Sequence, residues 1–320
     1  MTGLEKPTGA AIVIKVFEQS QKFSPMDDRP ALRLDVAVGE ALRGVARDVL
    51  SEARTAVTDP ARTEAEAVHD FRRAMKRWRA FLRLLEPFVG HEARGLRDEA
   101  RDLAHALTGA RNAQSALDAL ADLEGHGLAL SPRSIATLRR RIDAIRTAAE
   151  TTLLDADMRL RLGSALDKAD TMVERWPLHL LVFDNVADGL TRFYRAARGL
   201  IPEDWAAADA EELHELRKLV VIHRYQMDIV EPLWPRFARM WTGEAQRLRD
   251  RLGRHQDVLM LESLTGPHQP LVRWRTRLAA GIAERRAAHV AGAARLAERL
   301  FVEKPNTFRR RLDAMWRTGG

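Results

Sequence analysis

Apolar residues recur at helical spacing along most of the chain. In the segment FRRAMKRWRAFLRLL (71–85) they fall three or four positions apart, at Phe71, Ala74, Trp78, Leu82 and Leu85. This spacing matches the 3.6 residues of an α-helical turn. Beyond residue 28, no run alternates polar and β-branched residues as a half-buried strand does. The pattern therefore predicts an all-α fold.

Four clusters of helix-breaking residues interrupt this pattern, at 58–64, 125–132, 200–212 and 265–270. They delimit roughly four helices in each half of the chain. Pro, Gly, Ser and Thr are frequent in residues 1–28, so we expect a poorly ordered tail there. No stretch of about eighteen apolar residues occurs that could span a membrane.

The second half of the chain repeats the first. HDFRRAMKRWRAFLRLLEP begins at His69, and HELRKLVVIHRYQMDIVEP begins at His214, 145 residues later. The same shift also superimposes Arg72 on Arg217, Arg79 on Arg224, Glu86-Pro87 on Glu231-Pro232, Arg94 on Arg239, and Arg140-Arg141 on Arg285-Arg286. We expect two four-helix bundles related by pseudo-two-fold symmetry, at 29–175 and 176–320, which enclose a groove or channel on their axis.

Composition adds a chemical constraint. The chain has 52 Lys and Arg against 45 Asp and Glu, a formal net charge of +7 and a pI of about 10.2. Such a balance favours an acidic partner: nucleic acid, an anionic membrane surface or a phosphate polymer. Cysteine is absent, which excludes disulfides and thiolate metal sites and fits a reducing compartment. We therefore expect a soluble cytoplasmic protein.

The positive charge concentrates on one face of each repeated helix, opposite the apolar face. The first basic stripe comprises His69, Arg72, Arg73, Lys76, Arg79 and Arg83. The second basic stripe comprises His214, Arg217, Lys218 and Arg224, with Tyr225 expected to project beside it. The segment 69–83 contains a single acid, Asp70. Guanidinium forks and ammonium groups suit phosphate oxygens, so these residues are candidate anion ligands.

The helix that precedes each stripe supplies two more candidates. ALRGVAR (41–47) resembles GLTRFYR (189–195) at a slightly different shift, which pairs Arg47 with Arg195. Periodicity leaves open whether Arg140, Arg141, Arg285 and Arg286 face the same channel.

Several alternatives remain at this point. A Lys- and Arg-rich helix face can simply be solvated, or can belong to a scaffold whose charge only adds solubility. Nucleic acid would also be attracted, but the chain has only 2 Tyr to stack on bases, and Trp78 lies on an apolar face. No His-x-x-x-His or Glu-x-x-His cluster, Gly-rich phosphate loop or nucleophile with a nearby base is evident. We therefore expect neither a metal, a cofactor nor catalysis.

The paired motifs resemble the CHAD family, the conserved histidine α-helical domain. The resemblance rests on VHDFRRAMKRWRAFLRLLEP in the first half and on LHELRK, Arg224-Tyr225 and LGRHQDVLML (252–261), with Asp257, in the second. It implies two pseudo-symmetric four-helix bundles around a basic channel that binds inorganic polyphosphate without catalysis, with polyphosphate granules as an expected location. The ExExK motif of an accompanying β-barrel is absent, so the chain resembles a stand-alone member.

Departures from the family pattern fall mainly in the second half. Val221-Ile222 replaces a Lys-Arg pair, His223 follows where an apolar residue is usual, and Asp228 replaces Glu. In the first half, Asn112 takes the place that corresponds to Asp257. We therefore expect the first stripe to carry more of the binding. Phosphates beside His69 and His214 should raise the pKa of each imidazole, so we expect tighter binding below neutral pH.

Overall fold

The computed structural model describes residues 30–107, 111–149 and 154–319, so the predicted tail at 1–28 lies outside the described residues. Within those ranges the chain forms eleven α-helices and no strand, which confirms the all-α prediction. The helices are α1 Val38–Thr58, α2 Glu64–Val89, α3 His91–Ala106, α4 Arg111–Glu124, α5 Pro132–Ala149, α6 Ala156–Arg175, α7 Phe183–Gly199, α8 Ala210–Ile229, α9 Pro235–Ser263, α10 Arg275–Leu300 and α11 Pro305–Gly319.

The two helices that carry the basic stripes, α2 and α8, begin in the same way. Thr63 accepts a hydrogen bond from the backbone N–H of Glu66, whose carboxylate accepts one from the backbone N–H of Thr63. Asp209 and Glu212 form the same capping box before α8. Such a box satisfies two backbone donors that a helix start otherwise leaves unpaired. The local sequence therefore fixes where each of the two helices begins, and both stripes follow at a similar distance from that start.

The internal repeat extends over the whole set of helices. Val38 and Phe183 begin α1 and α7 at the shift of 145 that relates the stripes. At this shift Arg47 falls on Arg192, so its pairing with Arg195, made at a different shift, stays a prediction. In the first half α3 ends at Ala106 and α4 begins at Arg111, whereas the second half has the single helix α9.

One hydrophobic core runs through both halves. It joins residues of α1, α2, α3 and α6 to residues of α7, α8, α9 and α11, with Phe81 and Tyr194 among the fully buried side chains. Gly189 permits a close approach of α7 to α2, because a Cβ at that position would overlap Leu84 Cδ1. The division into bundles at 29–175 and 176–320 stays a prediction from the repeat, since the core does not end between them.

A second, smaller core lies where the α4–α5 hairpin packs on α9 and α10. Its buried side chains include Leu120 and Leu123 of α4, Ile142 of α5, Leu261 of α9 and Leu278 of α10. This contact brings a hairpin of the first half against a hairpin of the second. The two halves therefore meet in several places, among them the contact of α2 with α8, the contact of α2 with α7 and the contact between these hairpins.

Candidate functional site

The first basic stripe lies on the side of α2 that faces α3. Arg72 Nη1 donates a hydrogen bond to the backbone oxygen of Leu107, at the end of α3, over 2.9 Å. Arg79 and Arg83, further along α2, interact electrostatically with Arg97 of α3. Arg77, which flanks the stripe, instead pairs with Glu52 of α1. The stripe therefore runs along one side of α2 while the apolar face packs into the core.

The only acid within the first stripe is already neutralised by basic neighbours. Asp70 accepts a hydrogen bond from Arg62, and its other carboxylate oxygen lies 3.2 Å from a guanidinium nitrogen of Arg73. The stripe consequently keeps an excess of positive charge.

The second basic stripe lies on α8 beside α9, and acids neutralise more of it. His214 Nδ1 is hydrogen-bonded to the side-chain oxygen of Gln256 on α9. Lys218 pairs with Glu215, and a guanidinium nitrogen of Arg224 lies 3.5 Å from a carboxylate oxygen of Asp228. That the first stripe carries more of the binding stays a prediction.

Arg217, the remaining residue of the second stripe, also faces α9. A Cβ placed on Gly253 of α9 would lie 3.5 Å from Arg217 Nε. A glycine at this position therefore gives the guanidinium of Arg217 room against the backbone of α9.

Helices α2 and α8 meet at a small apolar contact. Ile222 and Tyr225 bury their side chains against Ala80, and Gln226 Nε2 donates a hydrogen bond of 3.1 Å to the backbone oxygen of Ala80. The contact explains why Val221-Ile222 replaces a basic pair, since a charge at position 222 would be buried between two helices. Tyr225 is 7% exposed and lies beneath Arg224, so it does not project beside the second stripe as the sequence predicted.

The contacts of both stripes belong to one connected series of packed helices. Arg72 ties α2 to the end of α3, α8 meets α2 at Ala80, His214 ties α8 to α9, and α4 packs on α9. The N-terminal parts of the first and second basic stripes thus contact α3 and α9 of the same series, although they are 145 residues apart in sequence.

Other candidate residues lie elsewhere. Arg47 forms a bidentate ion pair with Glu174 of α6, at 2.8 and 3.0 Å, and Arg195 is exposed on α7. Arg140 and Arg141 are exposed on α5, and Arg286 pairs with Glu262 over 3.1 Å. None of these contacts joins either stripe.

Arg285 is buried and has a structural role. It holds Asp122 of α4 through two hydrogen bonds of 2.8 and 3.2 Å, and His289 lies 2.8 Å from the same carboxylate. Burial alone would raise the pKa of Asp122, but the hydrogen bonds from His289 and Arg285 outweigh it and lower that pKa. This ion pair fastens α4 to α10.

The positive charges of the first stripe lower pKa values within it. Burial and the charges of Arg73, Lys76 and Arg72 outweigh Asp70 and lower the pKa of His69 below its ordinary value of 6.5. Burial, together with the charges of Arg97 and Arg79, lowers the pKa of Arg83 to about 10. The free stripe therefore holds a neutral imidazole among permanently charged guanidinium groups at neutral pH.

His223 is a core residue. It is fully buried and accepts a hydrogen bond of 2.8 Å from the indole N–H of Trp241, at Nε2. Burial, and then the charge of Arg311, lowers its pKa to about 3. Its departure from the family pattern therefore serves packing inside the second half.

Sequence reasoning missed Arg97 and Arg101 of α3 and Arg192 of α7. Arg97 and Arg101 face Arg79 from across the α2–α3 contact, and Arg192 donates a hydrogen bond of 2.8 Å to the backbone oxygen of Arg83. The spacing of Arg94, Arg97 and Arg101 places them on one side of α3. That spacing was the available signal, but it indicates a common face only once α3 is known to pack on α2.

The described residues, 30–107, 111–149 and 154–319, lack two other kinds of feature. No three His, Asp or Glu side chains in these ranges are placed to hold a metal ion together. No helix in the described part of the chain is apolar over a length that would cross a bilayer.

The repeated helices and their histidine-led basic stripes define a class of all-α proteins built from two related halves. This chain belongs to the CHAD domain family, whose model matches residues 40–266. No curated protein sequence matches the chain significantly.

Solved structures support the fold. PptA from Streptomyces chartreusis is 20% identical, with a TM-score of 0.61 over 83% of this chain and 99% of its own. The CHAD domain from the plant Ricinus communis is 21% identical, with a TM-score of 0.53 over 89% of this chain and 94% of its own. At these identities the likeness concerns the fold alone.

Proposed function

We propose that this protein binds inorganic polyphosphate, without catalysing a reaction, in a channel bordered by the two basic stripes. The observation that carries the proposal is the recurrence of a histidine-led basic face on α2 and α8, two helices that contact each other at Ala80. Packing demands little at these positions, because they lie off the core face. Their repetition as charged residues therefore favours a ligand.

The chemistry of the stripes suits a linear phosphate polymer. Such a polymer offers oxyanions at every unit and no bases, so its recognition needs cations along a groove and no stacking platform. The first stripe provides six donors: His69, Arg72, Arg73, Lys76, Arg79 and Arg83. His214, Arg217, Lys218 and Arg224 provide the opposite side. Arg47 and Arg195 are not part of the proposed site.

Binding, rather than turnover, follows from the kinds of group present. The stripes contain guanidinium, ammonium and imidazole donors, and the one acid among the first set, Asp70, is occupied by Arg62 and Arg73. Apart from the imidazoles of His69 and His214, the stripes offer no general base, and they contain no hydroxyl, thiol or other carboxylate that could attack a phosphate. We further propose that the protein acts in the cytoplasm, where it attaches to polyphosphate granules.

A competition titration tests the proposal. Purified protein is titrated with long-chain polyphosphate, single-stranded DNA and duplex DNA at physiological ionic strength. The Arg72→Gln/Lys76→Gln variant is titrated beside it. The control is Arg236→Gln/Arg310→Gln, which removes the same charge from exposed positions on α9 and α11. Circular dichroism checks that each variant is folded.

We expect polyphosphate to bind most tightly, and the stripe variant alone to lose at least about tenfold in affinity, since each lost charged hydrogen bond costs about 1.5 kcal/mol or more. Equal competition by DNA would indicate a general polyanion surface. Equal losses in the stripe variant and the control would indicate that the stripe is only a solvated face.

A further inference from the structure

A second group of arginines lies further along α2, towards its C-terminal end. Arg79 and Arg83 of α2 face Arg97 and Arg101 of α3, and we call these four residues the arginine cluster. The cluster begins at the level of Ala80, where α2 meets α8. It contains the last two residues of the first basic stripe, Arg79 and Arg83, and extends the positive charge from α2 to α3.

Acids neutralise only part of this region. Glu86 accepts hydrogen bonds from Arg94 and Arg97. Asp98 and Asp102 both lie close to Arg101, at 3.3 and 2.9 Å. All three acids in the region are thus committed to arginines of α3.

Arg79 and Arg83, on α2, are left without such a partner. Among the described residues, neither has a carboxylate oxygen within ion-pair distance, 4.0 Å. The Nε of Arg79 is buried and has no hydrogen-bond partner there. A buried donor without a partner is costly, and an anion at this position would satisfy it.

The titration of these groups agrees with the geometry. Burial lowers the pKa of Arg79, and the charges of Arg101 and Arg97 lower it further. Arg83 is affected in the same way by burial, Arg97 and Arg79. The arginines thus repel one another and are partly withdrawn from water, an arrangement that a bound anion would relieve.

The second half of the chain carries a different charge at the equivalent positions. At the shift of 145, Arg83 corresponds to Asp228, and Arg79 corresponds to Arg224. The Nε of Arg224 is also buried without a hydrogen-bond partner, but a guanidinium nitrogen of Arg224 lies 3.5 Å from the carboxylate of Asp228. Arg97 corresponds to Thr242. The arginine cluster therefore has more positive charge than the equivalent positions of the second half.

We propose that the arginine cluster is the far part of the polyphosphate site, which binds the distal phosphates of long chains and so selects for chain length. This inference rests on the proposed function. His69 and Arg83 are fourteen positions apart, which corresponds to about 21 Å along the helix axis at 1.5 Å per residue. A short oligophosphate occupies one end of such a track, whereas a long chain occupies both.

The test compares two ligands and two pairs of substitutions. The Arg79→Gln/Arg83→Gln and Arg72→Gln/Lys76→Gln variants are each titrated with tripolyphosphate and with long-chain polyphosphate, with Arg236→Gln/Arg310→Gln as the control. An Arg79→Lys/Arg83→Lys variant retains the charges if the Gln pair perturbs folding. Circular dichroism of each variant checks that it is folded.

We expect the Arg79→Gln/Arg83→Gln variant to lose at least about tenfold in affinity for long chains and a clearly smaller factor for tripolyphosphate, which needs fewer of the six donors. The slope of log affinity against log salt for long chains should fall by about 1.4, since each phosphate contact contributes about 0.7 for a single-stranded polyanion. The Arg72→Gln/Lys76→Gln variant should lose affinity for both ligands.

Equal losses for the two ligands, or no loss for long chains, would overturn the role of the arginine cluster. Failure of the proposed function has a different signature. In that case wild-type protein would not prefer long-chain polyphosphate to DNA, before any variant is considered. A preference of the wild type together with equal losses in the variant would therefore reject only the further inference.

Discussion

At the scale of single residues, His69 connects the charge of the first stripe to pH. Its imidazole titrates below its ordinary pKa of 6.5 in the free protein, because of burial and the cations Arg73, Lys76 and Arg72. A bound phosphate chain reverses the sign of the local field and raises this pKa. Binding then takes up a proton whenever the pH lies near or between the two values.

We predict that affinity for polyphosphate rises as the pH is lowered from 8 to 5, and that His69→Gln flattens this dependence. The pKa of His69 is lower in the free protein than in the complex. Affinity should therefore begin to rise as the pH falls towards the pKa of His69 in the complex. Isotherms at constant ionic strength measure it. An affinity of the wild type that does not change over this range would contradict the prediction.

His223 gives a second effect of pH, on stability. Its pKa of about 3 in the folded protein lies below 6.5, so the unfolded chain binds more protons between these values. We predict that the free energy of unfolding falls as the pH drops from about 6.5 towards 3, by at most about 1.4 kcal/mol per pH unit from this group. Urea titrations of wild type and His223→Gln at neutral and acidic pH measure this loss of stability. The loss should be smaller in the variant than in the wild type. Parallel pH profiles would show that His223 does not contribute.

Both stripes were predictable from sequence because a 3.6-residue period separates a core face from a basic face without knowledge of the neighbouring helices. Tyr225 was misplaced for the opposite reason. Its environment depends on α2, which meets α8 at Ala80, and no pattern within α8 indicates that contact. The arginines of α3 were missed on the same ground.

At the scale of elements, the ion pair between α4 and α10 decides how the hairpins hold together. Asp122 and Arg285 are both nearly buried, with side-chain exposures of 11% and 8%. Each neutralises a charge that burial would otherwise make costly. The helices were predictable from their apolar period, but this pairing was not, since Asp122 and Arg285 are 163 positions apart.

We predict that Asp122→Asn lowers the free energy of unfolding by about 3–5 kcal/mol, because it leaves Arg285 buried without its counter-charge. Chemical denaturation at neutral pH measures this change. Asp118→Asn, an exposed substitution on the same helix, should change stability by less than about 0.5 kcal/mol. Similar effects of the two substitutions would show that the buried pair is not needed.

At the scale of the whole molecule, the repeat predicted two related halves but not how closely they are joined. The shift of 145 relates α1 to α7 and the stripe of α2 to that of α8, yet a single core passes through both halves. A repeat in sequence shows which elements correspond. It does not show whether their apolar faces close within one half or across both, because that depends on surfaces such as Gly189 and Leu84.

We predict that the two halves unfold together. Because α7 and α8 pack on α2, loss of either half exposes core side chains of the other, so denaturation should be one cooperative transition. Coincident urea curves from tryptophan fluorescence and far-ultraviolet circular dichroism would support this. Separate midpoints would show that each half is stable by itself.

Arg83 and Asp228 hold opposite charges at equivalent positions of the repeat. A homodimer cannot do this, because one gene product must place the same residue on both sides of a true two-fold axis. Joining the halves in one chain removes that restriction, so the two ends of the site can carry different charges. A polyphosphate chain has two identical ends, so it can enter in either direction. In both cases a protein with this asymmetry would bind it more strongly on the side that carries Arg83. A second molecule that approaches the bound polymer would then find different charges at the two ends of the channel.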